Sequence, residues 1–99
     1  MKIGVLISGC GTNLQAIIDG INDGSIAGKI ELIVSKNEDA YGLVRGKKAG
    51  IDSIYIDPTG HDIISYSKLL LEEFQKREID LIVLAGFLMI LSKEFIEKY

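Results

Sequence analysis

Apolar and polar positions fall in blocks along this chain. Lys2 to Ile7 is an apolar run of strand length that ends in a glycine-rich turn, as expected for a strand covered on both faces of a parallel sheet. After Gly11 the period changes. Leu14, Ile17, Ile18 and Ile21 recur at helical spacing, which predicts a helix from about Asn13 to Asn22 with one face inward. Thr12 and Gln15 have the spacing of a capping box at its start. Asp23, Gly24 and Gly28 mark a loop, and Ile30 to Val34 reads as a second buried strand ending at Ser35. A helix is expected over Tyr41 to Ala49, with Gly50 placed for a left-handed cap, followed by a short strand, Ser53 to Ile56. Pro58, Thr59 and Gly60 break the chain. Asp62 is placed to cap a third helix with Tyr66, Leu69, Leu70 and Phe74 along one face and Glu73 and Lys76 toward solvent. Ile79 to Leu84 is the last strand, closed by Ala85 and Gly86, after which Ser92 caps a short amphipathic segment containing Phe95 and Ile96.

The resulting βαβαβαβ alternation predicts an α/β fold, a Rossmann-like three-layer sandwich of four parallel strands in the order 3-2-1-4 with flanking helices. No repeat or linker divides residues 1–99, so one domain is expected. In that order the first and fourth strands are neighbours whose chains leave in opposite directions, and open α/β sheets bind ligands in the crevice this creates. Two loops border it, Ser8 to Asn13 and Gly86 to Leu91.

In the first loop Gly9 and Gly11 allow a tight turn, while the N–H groups of Thr12, Asn13 and Leu14 lie at a helix start without intrahelical acceptors. Such a turn is an anion cradle, and Gly9 to Asn13 reads as phosphate-binding. Two glycines also serve simply to close a strand-to-helix turn, so a lone G-x-G does not decide the matter. A dinucleotide site would place a third glycine at Leu14 and an acidic residue after the second strand, where the chain has Ser35-Lys36-Asn37. That speaks against NAD. Ser35 and Lys36 keep open an alternative, a non-catalytic nucleotide- or NADP-binding regulatory module. The second loop, Gly86-Phe87-Leu88-Met89-Ile90-Leu91, is too apolar for a solvated turn; it either packs in the core or lines a pocket for a flat ring.

Composition narrows the partners. The 99 residues are 47% hydrophobic and 25% charged, with eleven basic and fourteen acidic side chains and a net charge of −3. No basic stripe suits a nucleic acid or an anionic membrane, and neither is expected as a partner. The apolar runs fall short of the roughly 20 residues of a membrane-spanning helix. A single cysteine, Cys10, cannot form an internal disulfide, which points to a cytoplasmic protein. His61, the only imidazole, is expected on the surface after the third strand, with no serine or cysteine placed as its partner. No metal site is expected.

The run Ile7-Ser8-Gly9-Cys10-Gly11-Thr12-Asn13-Leu14-Gln15-Ala16-Ile17 closely resembles the opening signature of the phosphoribosylglycinamide formyltransferase family. The resemblance continues through Ser35-Lys36-Asn37, Ala40-Tyr41-Gly42-Leu43, Lys48-Ala49-Gly50-Ile51 and Val83-Leu84-Ala85-Gly86-Phe87, covering essentially the whole chain. It implies transfer of a formyl group from the co-substrate 10-formyltetrahydrofolate to the glycinamide amine of 5-phosphoribosylglycinamide, in purine biosynthesis and without a metal. It implies further that Gly11, Thr12 and Asn13 hold the substrate phosphate and that Leu88, Met89, Ile90 and Leu91 border the folate's pteridine ring. Met89 stands where many members carry arginine, and Ile63 or Ile64 near the place of a basic residue that contacts folate in some. The family's catalytic residues are an Asn, the His of an N-x-H-P motif and a later Asp. They would stabilise the oxyanion and tune proton transfer as the amine attacks the formyl carbon, and are expected beyond Tyr99. The 99 residues are thus expected to be an amino-terminal half, inactive alone, with an apolar crevice favouring association as a homodimer or aggregate.

Overall fold

The computed structural model describes residues 1–9 and 11–85. Four strands and three helices alternate: β1 Lys2–Ile7, α1 Thr12–Asn22, β2 Lys29–Ser35, α2 Tyr41–Lys48, β3 Ser53–Tyr55, α3 Ile63–Lys76 and β4 Leu81–Ala85. The strands form one parallel sheet in the order β3-β2-β1-β4, as the alternation predicts. The expected segment at Ser92 lies outside the described residues. No helix among the described residues is long and apolar enough to cross a membrane.

Side chains of β1 alternate between two cores. Ile3, Val5 and Ile7 join Leu14, Ile18 and Leu43 on the α1/α2 face, and Leu6 joins Tyr66, Leu70 and Phe74 on the α3 face. In β2 the alternation slips. Ile3 pairs with Ile30 but Gly4 pairs with Leu32, so Glu31 is the extra residue of a bulge, and Ile30 and Ile33 both reach the α1/α2 core.

Gly50 adopts φ +75 after α2, with its N–H donating to Lys47 O and that of Ile51 to Gly46 O, a Schellman cap as foreseen. Asp62 caps α3 by accepting from Ser65 N at 2.7 Å. The expected start of β4 at Ile79 is corrected. Glu78 takes a left-handed φ of +57, and the N–H groups of Glu78 and Ile79 donate back to Gln75 O and Phe74 O. Ile79 therefore ends α3 in a second Schellman cap, packed in the same core as Phe74, and pairing to β1 begins at Leu81.

Candidate functional site

β1 carries the chain through the buried Ile7 to Ser8 and Gly9 at the carboxyl edge of the sheet. Gly11 then takes φ +79, ψ +29, and α1 begins at Thr12. The proposed capping box is not formed: Thr12 is the first helical residue, Gly11 is the cap, and no side chain caps it. The left-handed turn, which glycine adopts without a Cβ penalty, starts the helix one residue earlier than the box requires. Gln15 N donates to Gly11 O at 2.8 Å. The Gln15 side chain is turned along the helix, its Nε2 donating to Asp19 Oδ1 at 3.0 Å and its Oε1 accepting from Arg45 Nη1 at 3.3 Å. Thr12 and Asn13 are exposed, while Leu14 is fully buried beneath them.

The turn is held from behind by the β2–α2 connection. Asn37 Nδ2 donates to Ser8 O, Lys36 N to Ile7 O at 3.4 Å and Gly42 N to Gly9 O at 3.3 Å. A Cβ on Gly11 would lie 2.7 Å from Gly42 Cα, so the two backbones touch where neither residue carries a side chain. Ser35 is fully buried. Its hydroxyl donates to Asn37 O at 2.8 Å and accepts from Asn37 N at 3.0 Å. It therefore shapes the connection and does not face a ligand, which corrects the expectation that Ser35 could contact an NADP phosphate. Asn37 and Gly42 were missed as site residues because their role is tertiary; their one sequence signal was that both fall inside the matching segments.

An open cleft of about 490 Å³ lies between the two connections, lined by Ser8, Gly9, Asn37, Glu38, Asp39, Ala40 and Tyr41. It flanks β1 on the β2 side. The crevice that topology singles out is expected on the opposite, β4 side of β1; Leu88, Met89, Ile90 and Leu91, expected to border it, lie outside the described residues, as does Cys10. Negative charge gathers near the cleft. The Tyr55 phenol is pushed above its usual range by desolvation, then by Asp57 and by the charges of Glu38 and Asp39. Among the described residues, no group of His, Cys, Asp and Glu is arranged to hold a metal ion.

His61 is exposed after β3, as expected. The expectation that no serine partners it is corrected: His61 Nδ1 lies 2.7 Å from Ser65 Oγ, one helical turn onward, with Tyr66 beside the ring at 6.4 Å between centroids. Neither contact reaches the Gly11 turn. Ile63 and Ile64 are exposed at the start of α3.

The sequence model of the formyl transferase family matches residues 1–99. Among curated relatives, the phosphoribosylglycinamide formyltransferase of Haemophilus influenzae is 41% identical over 99 residues, covering 99% of this chain and 47% of that protein. The Escherichia coli enzyme of the same name is also 41% identical, over 100% of this chain and 47% of its own length. The crystal structure of glycinamide ribonucleotide transformylase 1 from Symbiobacterium toebii superposes with a TM-score of 0.95 at 39% identity, covering 100% of this chain and 47% of that one. The chain spans about half the length of the curated relatives it matches.

Proposed function

This chain belongs to the formyl transferase family, and from that premise we propose that it forms the amino-terminal, phosphate-binding subdomain of a phosphoribosylglycinamide formyltransferase. The full protein would move a formyl group from 10-formyltetrahydrofolate to the glycinamide amine of 5-phosphoribosylglycinamide. The observation that supports this best is the turn at Gly11. It is left-handed, lacks a side-chain cap and opens directly into α1, so the first N–H groups of the helix are free to meet an anion together with the positive end of the helix dipole.

Gly11, Thr12 and Asn13 take the substrate phosphate in this reading, through backbone donors and the two exposed side chains. The carboxylates of Glu38 and Asp39 disfavour a dianion in the neighbouring cleft, which leaves the start of α1 as the anion position. Leu88 to Leu91 would border the pteridine ring. These 99 residues contain no N-x-H-P sequence, and His61 is engaged with Ser65 away from the turn. Their part is binding and orientation, and the oxyanion and proton chemistry falls to residues outside them.

Calorimetric titration of this chain with phosphoribosylglycinamide, and separately with NADPH, tests the reading. Binding of the first, competed by inorganic phosphate, is the expected result. Binding of NADPH, with no response to phosphoribosylglycinamide, would replace it with a nucleotide-binding module.

A further inference from the structure

Behind the phosphate turn stands a basic side chain, Arg45, that bonds the first turn of α1 and lies beside Gly11. Arg45, on α2, is half-buried. Its Cδ lies 3.3 Å from where a Cβ on Gly11 would sit, and its Nη1 donates to Gln15 Oε1 at 3.3 Å. The guanidinium carbon is 5.0 Å from the centroid of the Tyr41 ring one helical turn earlier, a stacking arrangement that restricts the head group of a long side chain. Gly11 and Gln15 are also the two ends of the first α1 hydrogen bond, Gln15 N to Gly11 O at 2.8 Å. Arg45 thus spans the segment that contains Thr12, Asn13 and Leu14.

We infer that Arg45 is the positioning residue of the phosphate turn, holding the first turn of α1 through Gln15, packing its stem beside Gly11 and placing a fixed positive charge behind the turn. This rests on the phosphate reading above. Two physical effects combine. The contacts limit the motion of donors that must converge on one anion, which lowers the ordering cost of binding. The charge opposes the field of Glu38 and Asp39 across the turn and of Asp19, which Gln15 also bonds. Lysine would supply the charge alone, because a compact ammonium does not reproduce the planar fork or the stacking on Tyr41.

The test is titration of the full chain and its Arg45→Met, Arg45→Gln and Arg45→Lys variants with phosphoribosylglycinamide, at several salt concentrations, alongside thermal melts. Arg45→Met and Arg45→Gln should weaken binding on the order of tenfold and flatten its salt dependence, while melting within a few degrees of the parent. Arg45→Lys should restore the salt dependence and only part of the affinity, which a merely structural role for the side chain would not produce. Should the Met and Gln variants fail to fold, Gln15→Ala and its combination with Arg45→Lys provide a double-mutant cycle; coupling between the two losses is expected, and strict additivity would overturn the inference. Met and Gln variants that bind within about twofold of the parent, a difference smaller than one hydrogen bond, would remove the role of Arg45 and leave the phosphate reading intact. A parent chain that binds neither phosphoribosylglycinamide nor inorganic phosphate would remove both.

Discussion

On the α3 face of the sheet, bulk fills the space: Tyr66, Phe74, Leu70, Leu6, Leu32 and Val34 are all fully buried, and β1 seats the Phe74 ring where it carries only Gly4. On the opposite face the helices approach by omission. α2 presents Gly42 to Ile7 and the Gly11 turn, and Gly46 to Ile33 and Ser53, with no room for a methyl group at either position. Large side chains that interdigitate supply transfer free energy and dispersion contacts. Backbones brought into contact supply little of either, but fix where a loop lies. Both faces of this sheet bury apolar side chains and hold the chain folded, but the α1/α2 face also fixes, through its glycines, the geometry of the candidate site.

The sharpest way to break that division is Phe74→Ala. Removing a fully buried ring should cost about 3–5 kcal/mol, measured by urea denaturation, while molecules that remain folded keep their affinity for phosphoribosylglycinamide. A parallel fall in affinity, under conditions where the variant is folded, would show that the two faces are not separable. Gly11→Ala should do the reverse. It places a side chain at φ +79, 2.7 Å from Gly42 Cα, and is expected to cost about 1–3 kcal/mol while ligand binding falls by tenfold or more, since about 1.4 kcal/mol of lost donor geometry already suffices for that. Undiminished binding by G11A would sink the proposed role of the turn.

A smaller effect sharpens the comparison on the α3 side. Tyr66 is fully buried and its hydroxyl donates to Ile56 O at 2.6 Å. Burial, then the charges of Tyr55 and Asp57, push its pKa from near 10 up to about 12. Because the unfolded phenol ionises first, the stability this group contributes is present below about pH 10 and drains away as the pH rises to about 12. Tyr66→Phe should cost about 1 kcal/mol near neutrality and flatten that alkaline decline in thermal melts, without altering ligand binding.

Most of the elements were legible because their signals are local. The period change at Gly11, the Asp62 cap and the Gly50 cap each rest on residues within a few positions of one another, and the strand order follows from alternation with right-handed crossovers. Where the reading failed, a local pattern met a competitor of the same range. The Thr12/Gln15 box lost to the left-handed turn at Gly11, and Ile79 lost its place in β4 to a helix cap in which Glu78, and not a glycine, takes the left-handed position. The bulge at Glu31 left no trace in the apolar pattern, because β2 is buried on both faces and either register of Ile30 satisfies it.

For the site, the sequence determined that a glycine-flanked turn would open into a helix at the carboxyl edge of a parallel sheet, and which residues would offer their N–H groups there. Period, capping and turn chemistry settle such things over a few consecutive residues. Only the tertiary structure decided what stands behind the turn. Asn37 reaches Ser8 across 29 positions of sequence and Arg45 reaches Gln15 across 30, contacts that exist because β1 and β2 lie side by side and α2 packs glycine against glycine on α1's first turn. No local pattern encodes that meeting, since it depends on the relative placement of two β–α units, and that placement is set by the packing of the whole face.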